Sequence, residues 1–588
     1  MKRILLIIGT FFFLGSSIQA QHLWARQTQP TPGGPGGSAS TRDVALDRAD
    51  NVYMIGEFGG QISWGSQSLL DESVVGDDGP VYLAKFDADG NVLWANGIAG
   101  KSSNNGWGIT TSADAKVFVC GEYEQTNSST FLDFGNGVTL NGNASQSVFV
   151  AMADSSGTFH WASNILASDH AGTQYVTPKD IITMGEAIYI TGEVQDSVTA
   201  GGNTYNQANS DKHKQMFLAK FDTAGNFLWF KHTNQEDGFA FSSGNHLYPG
   251  PAGNLYVVGI FSPNNSSWEG QNLGGSGTLN SQHLFIGKFN PKGNLLWHRW
   301  AVGAGTSVQE PRPIGIDQEG NVYTSVRTAG ATHLGDTTFQ STTGMYLVKY
   351  DSSGVRQYTV PFYGIEGFGI AGVDVQAVYA RPDGRTYVMG RYGNLAIIIG
   401  QDTLPAPPSF DGWNFAASFT PGGQVIDARV WAEEYLGQFN EFTITNIEAD
   451  QQGNLYVGGI IEDGSASFEQ DTIGISTGQD QTFLVKTNPN GFFISTGLAE
   501  EIFSQVNVKV YPNPAHGYCQ LQYETIGFEQ IDYQLLNLQG QLVKRQQLDF
   551  GTHRQAVELD LGGLSAGVYV LQLVREGQLM YRQKVVVE

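Results

Sequence analysis

The segment GFGIAG, Gly367 to Gly372, carries the glycine spacing of a dinucleotide-phosphate loop. Such a loop needs a strand before the glycines and a helix after them, whose N-terminal amides hold the pyrophosphate. No helical pattern follows Gly372, so no nucleotide cofactor is expected, and no other cofactor is implied. Asp47, Asp87, Asp89, Asp154, Asp222, Asp317, Asp351 and Asp450 recur beside turn residues and are of the type that binds calcium. An EF-hand-like site takes a loop of about 12 residues and usually closes on a bidentate Glu. The segments here, such as DADG at Asp87 to Gly90, are too short and read as turns, so no metal is expected.

Cys120 and Cys519 are the two cysteines, too few and too far apart for a disulfide framework or a thiolate zinc site. No HExxH, GxSxG or P-loop site is expected. The adjacent acids Asp77 and Asp78, or Glu433 and Glu434, are not an acid/base pair, because glycoside cleavage needs two carboxylates facing each other across a bond. Residues brought together from distant segments remain the one route to catalysis.

What brings distant segments together here is repetition. The pattern GNVYMIGEF returns as KVFVCGEY, AIYITGEV, GNLYVVGIF, GNVYTSVRT, GRTYVMGRY and GNLYVGGII, at intervals of about 68 residues. A second pattern, VYLAKFDADGNVLWANG, accompanies each copy, weakening after the fourth. Alternating aromatic and β-branched residues predict four strands per copy, with a tight Asp-and-Gly turn joining the last two. A four-stranded sheet cannot shelter both of its faces alone, so seven copies predict an all-β, seven-bladed β-propeller. A parallel β-helix has shorter coils and no need of a hairpin in every repeat. The segment QHLWARQ matches the outermost strand of a blade yet precedes the first, so it is expected to complete the seventh. The competing candidate for that slot is GFFISTG.

The copies resemble the SBBP family of seven-bladed propeller repeats over nearly all of residues 40 to 497. The resemblance implies a fold and little about activity.

Two further segments flank the array. MKRILLIIGTFFFLGSSIQA has the charged start, short apolar run and small-residue exit of a secretory signal peptide, and no stretch is long enough for a transmembrane anchor. After Gly497, short alternating strands separated by QG, GG and AG predict a small β-sandwich. Tyr511, Pro512, Asn513 and Pro514, the Leu538 to Leu542 turn, Gly567 and Tyr569, and the ending from Lys584 resemble the type A C-terminal sorting domain of type IX secretion cargo. That resemblance implies export from a Gram-negative cell to its surface or beyond, with the type IX machinery as partner; an ordinary adhesive sandwich is the alternative. The expected domains are residues 1–20 (signal peptide), 21–499 (propeller) and 500–588 (an Ig-like sorting sandwich).

Net charge is −24, and residues 501–588 with the first 20 nearly cancel, so the central array holds the excess. A surface that acidic repels phosphate backbones and argues against nucleic acid. A bound ligand is expected at the mouth of the central channel, where register places Arg42, Asp43, Trp107, Lys179, Asp180, His246, Arg312 and Asn446. A polar ring with a tryptophan suits a carbohydrate or protein ligand, and solvated strand ends are the plainer reading. The recurring Lys85, Lys220, Lys288, Lys349 and Lys486 are expected to serve the blades. The function expected is a non-catalytic surface binding or scaffold protein; a polysaccharide hydrolase or lyase and a purely structural component are the alternatives.

Overall fold

The computed structural model describes residues 22–487 and 506–587, less connecting segments of which the longest are 31–36, 72–78, 125–131, 169–174, 207–213, 236–241, 274–282, 304–313, 365–372 and 407–412. The signal peptide, GFFISTG and GFGIAG therefore lie outside the described residues, as do Arg312, Pro512, Asn513 and Pro514. The chain divides into two compact units, Met1–Phe493 and Ile494–Glu588.

The first unit is a seven-bladed β-propeller. Blade 1 shows the plan: antiparallel strands Ser38–Leu46, Val52–Gly59, Val81–Phe86 and Val92–Ile98 run in order from the axis outward. The innermost strands of blades 2 to 7 are Asn104–Thr111, Val176–Met184, Ser242–Pro249, Ile314–Ile316, Asp374–Ala380 and Phe442–Ala449. Each contacts the next, and the seventh contacts the first, so the ring is closed. The middle strands are apolar on both faces because both faces meet another blade, and seven buried clusters fill the seven seams. Cys120 packs in one of them as a small buried apolar residue.

Closure uses the start of the chain. His22–Gln27 is the outermost strand of blade 7, paired with Gln481–Thr487 from His22↔Thr487 to Gln27↔Phe483. QHLWARQ thus takes the slot for which GFFISTG was the competitor.

One joint repeats around the ring. The first residue of the hairpin turn, an Asp in blades 1, 2, 3 and 5, accepts backbone N–H bonds from residues two and four positions on, as Asp87 does from Asp89 and Asn91, and Asp351 from Ser353 and Val355; Asn290 does the same in blade 4, and Thr420 accepts from Gln424 in blade 6. The turn's second residue then points its carbonyl at the preceding blade. Lys85 Nζ and Trp94 Nε1 both donate to Ser155 O, at 3.1 and 3.2 Å. Lys288 and Trp297 do the same to Ser352 O, and Lys486 and Trp24 to Ala88 O across the closing seam. Each of these lysines also lies over the ring of its blade's recurrent tyrosine, about 5 Å from the centroid, as Lys85 does over Tyr53. Lys220 and Lys349 reach Pro291 O and Pro421 O in the same way. The repeated lysines therefore serve the seam between blades. Gly90 shows why the turn ends in glycine: its φ is +77°, and a Cβ there would lie 2.7 Å from the Trp24 ring.

The long excursion between the second and third strands of each blade also crosses a seam. In blade 3 it forms the hairpin Val198–Ala200 with Asn203–Tyr205, which pairs onto the outermost strand of blade 2, Phe159–Ala167. The hairpins of blades 4 to 7 clasp blades 3 to 6 in the same way. Blade 1's hairpin, Gln61–Trp64 with Gln67–Leu70, pairs with Gln29–Pro30, the continuation of the strand that completes blade 7. Each clasp covers backbone that would otherwise form an open sheet edge.

The second unit is a small β-sandwich. Val506–Tyr511, Tyr518–Thr525 and Gln555–Asp560 form one sheet; Leu542–Asp549, Gln530–Leu536, Gly567–Arg575 and Gln578–Val587 form the other. Cys519, Leu521 and Leu559 from one sheet meet Tyr533, Leu535 and Leu571 from the other in a common core.

Candidate functional site

The innermost strands are not regular. In blades 1, 2, 3, 4, 6 and 7 each carries a β-bulge at the same level, placing Arg42, Trp107, Lys179, Asn245, Gln376 and Thr445 out of the ladder. A bulge inserts an unpaired residue and re-aims its side chain. The next residues form a second tier: Asp43, Gly108, Asp180, His246, Ala377 and Asn446. A central cavity of about 400 Å³ is lined by Arg42, Asp43, Trp107, Lys179, Asp180, His246 and Asn446 together. The sequence register thus gathers all of its described channel-mouth residues at one place, and Arg312 lies outside the described residues.

Within that set the side chains divide. Asp43 Oδ2 accepts the Ile109 N–H of blade 2 at 2.8 Å, and its Oδ1 accepts from Val44 N and from Asn446 Nδ2 of blade 7. Asp180 Oδ2 accepts the Leu247 N–H of blade 4 at 2.7 Å, while Oδ1 accepts from Ile181 N. These three side chains tie the inner ends of neighbouring blades together. Arg42, Trp107, Lys179 and His246 are placed differently. Arg42 Nε and Nη2 grip Glu57 at 3.1 and 2.6 Å, and the guanidinium lies 4.9 Å from the centroid of the Trp107 ring. Lys179 Nζ, from the blade on the other side, sits 3.7 Å from the same centroid. His246 lies beside Tyr248, their ring centroids 6.4 Å apart.

Burial sets the electrostatics. It pushes the Asp43 carboxyl up to about 7, against the pull of the Ile109, Asn446 and Val44 donors. Glu448, further down the same channel, is pushed up to about 8 by burial and by the Asp43 charge, and Asp180 lies well above the usual carboxylate range for the same two reasons. His246 falls to about 4, so its imidazole is neutral at physiological pH. Glu448 was not among the expected site residues; its place is three strand positions beyond the bulge of blade 7, a level that only the register of a closed ring identifies.

A pH dependence follows. Asp43, Asp180 and Glu448 bind more protons in the folded state than in the unfolded state between pH 4 and pH 8, so their contribution to stability falls as pH rises through that range. His246 works oppositely, since it must stay uncharged when folded, but only below about pH 6.5. From pH 6.5 to 8.5 the carboxyl groups prevail, and stability is expected to drop by roughly 2 to 3 kcal/mol. Denaturant melts across that range check this, with Glu448→Gln flattening the slope.

The turn aspartates are engaged by their own turns: Asp47, Asp87, Asp154, Asp222, Asp317, Asp351 and Asp450 accept turn amides, and Asp47 and Asp317 also accept the Tyr53 and Tyr323 hydroxyls. Two spacings escaped the sequence reading, GISTG at Gly474–Gly478 and GLSAG at Gly563–Gly567, which match a nucleophile elbow. The first begins on the clasp strand Asp471–Ile475 and the second leads into the strand Gly567–Arg575, and among the described residues no α-helix occurs to build the strand-to-helix turn.

In the sandwich, Tyr511 is exposed at the end of its strand, and Gly567 opens the strand Gly567–Arg575. Tyr569 is buried and donates from its hydroxyl to Ser565 O at 2.9 Å, and Lys584 pairs with Val570.

Comparisons with known proteins divide along the same line. Residues 509–588 match the family described as secretion system C-terminal sorting domain. Over 286 residues the chain is 22% identical to an uncharacterized WD repeat-containing protein of Acanthamoeba polyphaga mimivirus, a stretch covering 42% of this chain and 19% of that one. The chain therefore spans about a fifth of the length of the curated relative it matches. Among solved structures, a fungal alcohol oxidase of the AA5 family is 11% identical, covers 95% of this chain and 98% of its own, and superposes with a TM-score of 0.32. A protein of unknown function from Dyadobacter fermentans is also 11% identical, with 79% and 99% covered and a TM-score of 0.31. No helix among the described residues is long and apolar enough to cross a membrane. The chain carries, over residues 509–588, the C-terminal sorting domain of a type IX secretion cargo and is exported to the cell surface or beyond.

Proposed function

We propose that this protein is a non-catalytic binding or scaffold propeller of the SBBP repeat type, which takes a saccharide or protein ligand at the bulged mouth of its central channel. The observation that carries the reading is the cavity of about 400 Å³ on which Arg42, Trp107, Lys179 and His246 converge from four consecutive blades. Pockets with a few convergent polar groups and an aromatic side chain are the usual form of a ligand site. Two of the three described carboxyl groups in the cavity serve the seams instead, since both oxygens of Asp43 and of Asp180 accept backbone N–H groups, which leaves Glu448 without a second carboxylate to work with.

Panels of glycans and surface proteins, probed with the full chain, test the reading. The expected result is retention of at least one ligand by the wild type and its loss in Trp107→Ala, with the thermal midpoint of the variant kept near that of the wild type. Turnover of a polysaccharide that stops on Glu448→Gln would assign an enzyme instead. Binding to nothing, together with a surface defect on deletion of the gene, would assign a structural component.

A further inference from the structure

Resting on that reading, we infer that the group recognised at the mouth is an anion carried by a saccharide, a uronic acid carboxylate, held by Lys179 and the free edge of Arg42. The mouth holds two cations over one indole, and they are differently committed. Arg42 spends Nε and Nη2 on Glu57, leaving Nη1 without a partner among the described residues. Lys179 Nζ donates to no described residue, although it lines the cavity. None of the nearby acids accepts a hydrogen bond from it among the described residues: Glu57 is held by Arg42, Glu193 accepts Lys214 Nζ at 2.9 Å, and Glu122, whose Oε1 accepts Asn105 Nδ2 and whose Oε2 is buried without a partner there, acts on Lys179 through its charge alone. Burial, with the Lys214 and Arg42 charges, disfavours the Lys179 ammonium against the pull of Glu193 and Glu122, and holds its pKa below the ordinary lysine value. A bound carboxylate would relieve both costs, accepting from Lys179 Nζ and Arg42 Nη1 in charge-assisted hydrogen bonds.

The rest of the cavity argues for a sugar behind that carboxylate. His246 makes no hydrogen bond among the described residues, and its neutral ring offers one donor and one acceptor, which suits a hydroxyl group. The Trp107 ring has cations from two blades over it, so it braces the ammonium and guanidinium, and the charges rather than the bare indole meet the ligand. The chain's net charge of −24 makes this mouth a local exception, one that selects a single anionic group over an extended polyanion.

Titration calorimetry of the full chain with a galacturonate trisaccharide, its methyl ester, a sulfated galactose trisaccharide and a neutral galactose trisaccharide tests this. The galacturonate is expected to bind, the ester to bind at least about tenfold more weakly, and Lys179→Met to lower affinity for the galacturonate by about tenfold or more with the ester little affected. Tighter binding of the sulfated probe than of the galacturonate would overturn the carboxylate assignment in favour of a sulfate ester. Equal binding of galacturonate and ester, or of wild type and Lys179→Met, would overturn the anion and leave the mouth reading intact if His246→Ala still abolished binding. Silence of all four probes would overturn the saccharide assignment, and the mouth reading would fail separately only if the protein panel were silent too. Unchanged thermal midpoints for Lys179→Met and His246→Ala separate lost contacts from lost folding.

Discussion

Removing residues 22–27 is expected to destabilise the propeller more than any single blade substitution, and Trp24→Ala to reproduce much of the loss. The strand supplies the outer edge of blade 7, and Trp24 is 7% exposed, donates to Ala88 O of blade 1 and packs edge-on against Tyr456 at 5.9 Å. Truncating a buried tryptophan costs about 3 to 5 kcal/mol. Deleting the whole strand also frees the Gln481–Thr487 edge and removes the Trp24 and Arg26 donors to Ala88 O and Gly90 O across the closing seam, a loss comparable to the total stability of roughly 5 to 15 kcal/mol of an ordinary domain. Calorimetry with Trp94→Ala as the control separates the two effects. Trp94 makes the same joint between blades 1 and 2, so its loss weakens packing while the chain ends stay tied. Equal hydrogen exchange in Leu455–Ile461 for both variants would sink the latch interpretation.

Deleting residues 509–588 is expected to reduce the protein on the cell surface and in the medium to near background, with the propeller accumulating in the periplasm. The matched sorting domain is a sandwich with its own core, so its removal takes no buried side chain from the seven seam clusters. Protease shaving of intact cells, with immunoblots of periplasmic and outer-membrane fractions, measures the outcome. Equal surface amounts of full-length and truncated chains would show that export does not depend on this domain.

Much of the architecture was legible because the interactions that build it are written once per copy. Trp24 could be placed in blade 7 since it sits where Trp94 sits, and the recurring aspartates could be assigned to turns since their spacing to glycine is that of a turn. Partners across a seam were less visible. Lys85 repeats in register, but nothing in its own copy says that its acceptor is Ser155 of the next blade. The clasp hairpins were hidden for a related reason: strands as short as Ser266–Trp268 and Gln271–Asn272 leave no alternation to count, and their pairing partner belongs to another copy. At the mouth, register located Arg42, Asp43, Trp107, Lys179, Asp180, His246 and Asn446 by position, and position does not reveal which side chains are already engaged. The bulges explain the gap, since one inserted residue breaks the alternation that tells an inward side chain from one turned to its neighbour.

The strand at His22–Gln27 also governs when the molecule can be finished. Thr28 and Gln481, hydrogen-bonded at 2.8 Å beside the closing pair, are 453 residues apart in sequence. Contacts so non-local form late and slowly, because the loop they close must first be brought together. A ribosome has to deliver the seventh module before the first strand meets its mate, so every nascent chain passes through a period as an unclosed string of sheets. During that interval an exporter that threads extended polypeptide would meet no completed ring to pull apart.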